Sequence, residues 1–506
     1  MFHASADLNR SQSTNILDAL LLNPAFVTCI LMAMLATILS RFAMEVDTGI
    51  WNYISRMWLY HGIPPYTGSV ENKTPGIFYI FLISNWLFGL NLWFPRFIAL
   101  ASMLATGLML YFIGKRICNK TCGQIALTLF GLACCQEGII GFAATTEMFM
   151  VLFSTSAILC VAYSSHIQSY RNYRVLVFIC GFLMGCAISF KQIALLDTAA
   201  VFLFYLSLPE RLSSRFKKPI RDSLFFGTGV FISMACFTIP ILIGGTHFED
   251  FWECAWQMLP HSGRFIKLKR VTSFFHEFFQ PELKILYALF FIFCTQAKTI
   301  CGKKIPFWSV AYWTVIDIIA INAAGTYFHH HFLQLMPSIT ISAAILLTLF
   351  IESSLFHNTI RRKKTAQLLL ACFLVLAPYR EMIDFFLEKP QTYEHPSLIG
   401  LKELGIWLKE HTSPDDRIFV FSKPAGILMT YSERRSPSRH FTRMFSRVEY
   451  IIEETVNDLS KNLPKYIIFK PARTENATWF LDFLKPRYTY VDTFYGYDVY
   501  ILTKNN

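Results

Sequence analysis

Eleven long apolar runs most constrain what this chain can fold into. A helix of about 20 residues crosses the roughly 30 Å hydrocarbon core of a bilayer, and apolar runs with few charges are typical of such helices. They lie near residues 25–41, 94–113, 123–142, 147–163, 175–189, 193–208, 223–244, 283–297, 306–323, 332–350 and 366–379. We therefore predict a mainly α, polytopic membrane helix bundle of about 11 spans.

Composition agrees with a membrane protein. Hydrophobic residues make up 54% and charged residues 16% of the chain, and the mean hydropathy is +0.40. Soluble domains have about 45–50% apolar and about 25% charged residues. These values exclude a disordered chain, a coiled coil and an ordinary cytosolic enzyme.

The net charge of +12 is distributed in short basic clusters between the apolar runs. The soluble segments of the sequence contain no basic stripe with interleaved aromatic residues, the pattern that would indicate nucleic-acid binding. Cytoplasmic loops of membrane proteins, in contrast, are rich in Lys and Arg. The 14-residue stretch 77–90 is short for a span and fits a re-entrant or interfacial helix. If this stretch does not cross the membrane, the loops on one side of the membrane carry 17 Lys and Arg residues and the loops on the other side carry 8. This bias predicts a cytoplasmic amino terminus and a periplasmic carboxyl terminus.

Residues 380–506 have a different composition, with 18 Lys and Arg, 17 Asp and Glu, and no Cys. Alternating patterns predict strands at 417–422, 465–469, 488–494 and 497–503, and helices near 400–411, 447–462 and 476–485. We predict a membrane domain over 1–379 and a small periplasmic α/β domain over 380–506.

The first outer loop carries the most informative polar residues. Asp47 follows the first span, and helical spacing from there to Trp58 predicts an amphipathic helix in the membrane interface. Lys73 precedes a second, short helix, so the loop is predicted to form a helix pair. Charged groups at a membrane face are costly and usually functional. The alternative is a solvated loop whose charges merely cap helices.

Four further residues are candidates because a charged or imidazole group is predicted at the outer face. For each there is a simpler interpretation: a Glu at a helix N-terminus is favoured by the helix dipole, a Lys can snorkel, and a basic loop can rest on anionic lipid. Three adjacent His residues cannot all face one ion in regular structure, so no zinc site is predicted from that run alone. The residues are Glu147, Lys191, Arg264 in the long loop 245–282, and His330 within His329–His331.

The pattern D-x-G-x-x-x-Y from Asp47, G-x-x-P-Y from Gly62 and K-x-P-G-I-x-Y from Lys73 resembles type-C glycosyltransferases. The similarity is to the bacterial branch related to dolichyl-phosphate-mannose protein mannosyltransferases and the lipid A aminoarabinose transferase. It implies that Asp47 activates the acceptor nucleophile. Many members have Asp-Glu there, whereas this chain has Thr48 after Asp47. The segment 413–439 also resembles the outer domain of that family.

The resemblance extends to the other candidates and implies their roles. Lys73 matches the K-x-P lysine, Glu147 an acidic residue of the second outer loop, and Lys191 a K-Q pair. The family histidine matches His330 or His331, and the spacing to Pro337 favours His330. The implied assignment is catalytic for Asp47 and Glu147, and donor-phosphate binding for Lys73, Lys191, His330 and Arg264.

The sequence thus predicts transfer of a sugar from a polyprenyl-phosphate donor to a lipid, glycan or protein acceptor at the outer face of a bacterial inner membrane. Asp47 and Glu147 could instead hold a divalent metal or position the acceptor, and no cofactor is certain. The absence of a Gly-rich nucleotide motif fits a lipid-linked donor. A transporter or flippase of lipid-linked glycans is the alternative, supported by the intramembrane residues Asp197 and Asp317. A non-catalytic scaffold is the third interpretation.

Overall fold

Apolar helices dominate the described residues between 43 and 351 in a computed structural model. The structure describes residues 43–134, 144–164, 167, 169–206, 219–258, 284–323, 328–352, 398–443, 446, 448–471 and 478–503. The predicted spans near 25–41 and 366–379, and the predicted domain boundary at 379/380, lie outside these residues.

The helices of this part follow the apolar runs of the sequence. They are α1 Val46–His61, α2 Gly76–Phe88, α3 Trp93–Ile117, α4 Lys120–Cys134, α5 Thr146–Tyr163, α6 Tyr170–Phe190, α7 Ala194–Leu206, α8 Pro219–Ile243, α9 Phe248–Trp252, α10 Lys284–Thr295, α11 Ala297–Gly302, α12 Phe307–Ala323 and α13 Met336–Ile351. A π-helical turn, Glu253–Gln257, follows α9. A 3₁₀ turn, His329–Leu335, precedes α13 and is called the His turn below.

Within the described ranges, five helical stretches are long and apolar enough to cross a membrane. They are Trp93–Ile117, Thr146–Tyr163, Tyr170–Phe190, Asp222–Ile243 and His330–Ile351. Helices α2, α7, α10 and α12 are apolar but shorter. The predicted polytopic helix bundle is confirmed, while the total of eleven spans stays a prediction.

The first outer loop forms the predicted helix pair. Helix α1 ends at Gly62, whose left-handed backbone (φ 64°) stops the helix without a Cβ penalty. Ser55 Oγ donates to the carbonyl of Phe78 at 3.0 Å and ties α1 to α2. The 13 residues of α2 extend over about 20 Å, which is shorter than a bilayer core. The expectation of a short interfacial helix at 77–90 agrees with this length.

Helices α6 and α8 cross in close backbone contact. A Cβ atom at Gly181 would lie 2.0 Å from the carbonyl oxygen of Phe226, and one at Gly185 would lie 2.5 Å from that of Val230. Small residues four positions apart allow such contacts between membrane helices. The crossing fixes α6, whose carboxyl end at Phe190 immediately precedes Lys191.

The C-terminal part is the predicted small α/β domain. It comprises α14 Leu401–Glu410, β1 Ile418–Phe421, α15 Ala425–Ser432, α16 Glu449–Lys461, β2 Tyr466–Phe469, α17 Thr478–Leu484, β3 Tyr488–Phe494 and β4 Tyr497–Leu502. The strand order is β1-β2-β4-β3, with β1 parallel to β2 and the other two pairs antiparallel. Side chains alternate between faces: Phe419 and Phe421 pack with α16 and α17, whereas Ile418 and Val420 join the main core.

Helix α15, which the sequence analysis did not predict, attaches this domain to α1. Cβ atoms at Gly49 and Gly426 would lie 2.7 Å from the amide nitrogen of Ile427 and 2.4 Å from that of Ile50. Thr430 Oγ1 also donates to the carbonyl of Gly49 at 3.0 Å. The C-terminal domain therefore packs on α1 within one turn of Asp47.

A second contact between the two parts is ionic and centres on Arg439. Its guanidinium lies 3.0 Å from Asp250 and 3.1 Å from Glu253, which follow α8, and 2.7 Å from Glu454 of its own domain. Arg56 of α1 is also in an interdomain contact, 3.1 Å from Glu433. Both arginines therefore join the domains.

Candidate functional site

Glu147 is at the centre of a buried cluster of charged and imidazole side chains. It is the second residue of α5, and 2% of its side chain is exposed. Lys191 Nζ donates to Glu147 Oε1, and Nε2 of His330 and of His331 lie 3.8 and 3.7 Å from the same oxygen. Thr146 Oγ1 donates to Oε2 at 2.9 Å. Both carboxylate oxygens thus have polar neighbours, as a buried charge requires.

Lys191 is held rigidly at the carboxyl end of α6. Its amide donates to the carbonyl of Ala187 at 3.0 Å and closes the helix. The next side chain, Gln192, donates to the carbonyls of Asn72 at 2.8 Å and Ala255 at 2.6 Å. The backbone next to Lys191 is therefore joined to the first outer loop and to the π-helical turn after α9.

Two hydrogen bonds position the backbone at Lys73: one is accepted by its own carbonyl, and the other is donated by the side chain of Thr74. Tyr66 donates its hydroxyl to the carbonyl of Lys73 at 2.7 Å, and Thr74 Oγ1 donates to the carbonyl of Ile188 in α6 at 2.9 Å. The Lys73 ammonium donates to Asn72 Oδ1 at 3.2 Å, and 24% of its side chain remains exposed. The amine is thus fixed close to α6 but remains accessible.

Glu71 lies next to Lys73 and was not singled out by the sequence analysis. It is 3% exposed, its Oε1 lies 3.9 Å from Lys73 Nζ, and that oxygen has no hydrogen-bond partner among the described residues. Burial raises the pKa of Glu71 to about 7, and the Asp47 charge adds to the effect while Lys73 opposes it. Burial also acts to lower the pKa of Lys73, but the Glu71 and Asp47 charges outweigh it and raise that pKa.

Asp47 belongs to the same electrostatic cluster. Its charge acts on Glu71, Lys73, Lys191 and His330. The other carboxylate of this loop, Glu45, forms an ion pair with Arg96 of α3 at 2.9 Å. Asp47 forms no such ion pair with any residue that the structure describes. Of the two acids it is the one left available to an incoming molecule.

The His turn brings both of its described imidazoles to Glu147. Gln334 Nε2, in the same turn, donates to Asp197 Oδ1 of α7 at 2.7 Å. At the start of α13, Ser338 Oγ donates to Asp317 Oδ2 of α12 at 2.5 Å. Both intramembrane aspartates therefore bond to the segment that carries the histidines, and both are almost fully buried.

The structure groups five of the six candidates around one end of the bundle. Glu147 begins α5, Lys191 follows the end of α6, and His330 precedes α13, so all three are at the same membrane face. Arg264 lies outside the described residues. The remaining grouped candidates are Asp47 and Lys73.

Sequence reasoning missed Glu71 and Lys423, and it ranked His331 below His330. It chose His330 over His331 on spacing to Pro337, yet the two lie equally close to Glu147. Lys423, in the C-terminal domain, lies 5.3 Å above the ring of Phe328, which stacks on His330. No local pattern around Lys423 indicated that it faces the His turn.

The sequence allows a metal ion between Asp47 and Glu147, but in the structure the possible metal ligands grouped with Glu147 are two histidines. Glu147, His330 and His331 offer ligand atoms that all lie within 4.8 Å of one another. Carboxylate and imidazole ligands suit zinc. However, the Lys191 ammonium is already hydrogen-bonded to the carboxylate oxygen that an ion would need. The residues as arranged therefore do not fit a bound divalent ion.

Comparison with known proteins agrees with this architecture. The family model for dolichyl-phosphate-mannose-protein mannosyltransferase matches residues 72–243, a range that contains Lys73, Glu147 and Lys191. No curated protein is significantly similar to the chain in sequence.

Solved structures resemble the chain over nearly its whole length. ArnT from Cupriavidus metallidurans bound to undecaprenyl phosphate superimposes with a TM-score of 0.63 at 14% identity, over 93% of this chain and 97% of that one. The archaeal oligosaccharyltransferase AglB from Archaeoglobus fulgidus, in complex with an inhibitory peptide and a dolichol-phosphate, gives 0.55 at 13% identity, over 95% and 74%. The oligosaccharyltransferase of that organism in complex with Zn and sulfate gives 0.52 at 13% identity, over 94% and 73%.

The fold and the site define a polytopic membrane protein with a buried, charged cluster at one end of its helix bundle. The chain shares its fold with ArnT and the archaeal oligosaccharyltransferase, and the mannosyltransferase family model matches about a third of it, residues 72–243. Both findings agree with the resemblance of its outer-loop motifs to type-C glycosyltransferases.

Proposed function

We propose that this protein transfers a sugar from a polyprenyl-phosphate donor to an acceptor at the outer face of a bacterial inner membrane. Asp47 takes the proton from the acceptor hydroxyl while its oxygen forms a bond to the anomeric carbon. The bond between the anomeric carbon and the phosphate oxygen breaks, and the electron pair leaves with the lipid phosphate. The Lys73 ammonium neutralises that phosphate, and the His330 imidazole donates a hydrogen bond to it.

The observation that carries this proposal is the convergence of a carboxylate and several cationic groups at one membrane face. Asp47 and Lys73 come from the first outer loop and Lys191 from the end of α6, and the charge of each acts on His330. Asp47 has no ion-pair partner among the described residues, and Lys73 is partly exposed. A base and a phosphate site are therefore adjacent, as the reaction requires.

Further support comes from the relatives. The ArnT structure holds undecaprenyl phosphate and the AglB structure holds dolichol-phosphate, both of which are polyprenyl phosphates. We propose the same class of donor lipid here. The sugar and the acceptor are open, with lipid, glycan and protein acceptors all compatible with the site.

A transporter or flippase of lipid-linked glycans is the competing function, and its support is the pair of intramembrane aspartates. Asp197 and Asp317 bond to Gln334 and Ser338 of neighbouring segments. Partners built into the bundle favour a structural role over a transport site, whose groups must be free to bind cargo.

A transfer assay tests the proposal. Purified protein in detergent receives radiolabelled undecaprenyl-phosphate sugars and a membrane-lipid extract, and label is followed from donor to acceptor. Replacing Asp47 with Asn keeps the shape but removes the base, so we expect a rate loss of about 10²- to 10⁴-fold.

Glu45→Gln is the matched control, because it removes a carboxylate of the same loop that faces Arg96 instead of the site; it retains most of the activity. Full activity of Asp47→Asn contradicts the role of Asp47. Donor lipid crossing liposomes without any transfer supports the flippase instead.

A further inference from the structure

Three side-chain nitrogen atoms lie close to one carboxylate oxygen of Glu147. Lys191 Nζ donates to Oε1, and Nε2 of His330 and of His331 lie 3.8 and 3.7 Å from it. Ligands at about 2.0–2.1 Å from a tetrahedral zinc ion lie about 3.4 Å from one another. Without Lys191, the carboxylate and the two imidazoles would have the composition and nearly the spacing of a zinc site.

The backbone that carries Lys191 is fixed, and its side chain is largely buried. It is 11% exposed, its amide closes α6, and the neighbouring Gln192 bonds to two carbonyls in other segments. An ammonium group has no lone pair with which to bind a metal. It also repels a divalent ion at close range, most strongly where water is excluded.

We propose that the Lys191 ammonium is the resident cation of this cluster. It takes the space that a zinc ion would occupy between Glu147, His330 and His331, so the wild-type protein binds no divalent metal there. This part concerns metal binding alone. A second part rests on the proposed function: His330 contacts the donor phosphate, and the phosphate binds without a metal.

Zinc stoichiometry in the full-length protein tests the first part without any activity measurement. Protein purified in detergent is treated with a chelator, equilibrated with micromolar zinc, desalted and analysed by mass spectrometry of the metal. We expect below about 0.1 zinc per chain in the wild type. Lys191→Met removes the ammonium but keeps an unbranched apolar side chain, and about one zinc per chain is expected.

Two further variants assign the zinc to this cluster. Lys191→Met combined with His331→Ala loses a ligand and returns to the wild-type stoichiometry. Lys73→Met is the matched control, because it removes a nearby ammonium whose neighbours are Asn72 and Glu71; it stays at the wild-type value. A stoichiometric zinc in the wild type that is lost in His331→Ala overturns the proposal. So does a Lys191→Met protein that keeps the wild-type melting temperature and binds no zinc.

Binding of undecaprenyl phosphate to the wild type tests the second part and needs no variant. We expect the dissociation constant to change less than about twofold with chelator or with added zinc. A tenfold weaker affinity in chelator overturns the proposal. If the lipid phosphate does not bind under either condition, the proposed function fails, and the zinc stoichiometry still decides whether Lys191 is the resident cation.

Discussion

Glu71 is a buried carboxyl group close to the ammonium of Lys73. Burial disfavours its charge, and the nearby Lys73 favours it, so that its pKa is about 7. Its value in an unfolded chain is near 4.5. The folded protein therefore holds this proton more tightly than the unfolded chain does.

The stability of the protein should consequently fall as the pH rises from about 4.5 to about 7. A raised carboxyl pKa costs the folded state about 3 kcal/mol once Glu71 has ionised. Glu71→Gln cannot ionise, so we expect a higher melting temperature than the wild type at pH 8 and a difference that closes toward pH 5.

Glu454→Gln provides a control of opposite sign. Hydrogen bonds from His440 and Arg439 hold the pKa of Glu454 at about 2, so its charge stabilises the fold above about pH 4.5 and the effect is lost as the pH falls through 2. This variant should be less stable than the wild type at pH 8. A pH-independent difference for Glu71→Gln would contradict the role of burial.

Residue types and predicted membrane side were enough to select most of the cluster from sequence. Their charge at the predicted membrane face, together with the resemblance to type-C glycosyltransferases, identifies Asp47, Lys73, Glu147 and Lys191 as candidates. The sequence could not distinguish Glu71 from an ordinary solvated loop residue, because its burial depends on packing between the loop and distant segments. For the same reason it could not show that Lys191 and Glu147 form a pair.

At the scale of secondary structure, the His turn depends on hydrogen bonds from within the bundle. Gln334 has its side-chain amide directed at Asp197, and a buried amide left without a partner costs about 1–3 kcal/mol. Asp197→Leu should therefore shift the turn and lower kcat by about 10- to 100-fold, with little change in KM for the donor.

Asp197→Asn separates this positioning role from a role of the charge itself. Its amide oxygen still accepts the hydrogen bond from Gln334, so we expect activity close to the wild type. Transfer rates at saturating donor, measured with melting temperatures, give the comparison. Equal loss in the Asn and Leu variants would show that the carboxyl group acts in another way.

Most helices were predictable because each carries a long apolar run or one apolar face. Helix α15 was not, because nearly all its residues are buried and its sequence has no polar face to mark a helical period. The strands β1 to β4 were recognisable from β-branched and aromatic residues between turn signals. Periodicity therefore fails where an element is enclosed on every side.

At the scale of the whole molecule, the contact between α1 and α15 has no space for a side chain. In Gly426→Leu, the new Cβ atom alone would lie 2.4 Å from the amide nitrogen of Ile50, which is too close. The C-terminal domain must therefore move away from α1. We expect a loss of about 1–3 kcal/mol in stability and at least tenfold lower transfer, with membrane insertion retained.

Gly227→Leu is the matched control for that substitution. Gly227 lies in α8, and a Cβ there meets no described atom within 4 Å. Melting temperature and transfer should both stay at wild-type values. Equal effects of the two substitutions would mean that the loss of a helical glycine, and not the domain contact, matters.

The contact between Gly49 and Thr430 joins residues 381 positions apart, and this has a consequence for biosynthesis. A ribosome adding about 5–20 residues per second needs roughly 20–75 s to make the chain between them. With α1 on the periplasmic side, as the charge bias predicts, α1 would during that time lack the surface that finally covers it. A growing chain would therefore leave this face of α1, next to Asp47, without its partner until the C-terminal domain is made, and a chain that stalls before residue 426 would not form this contact.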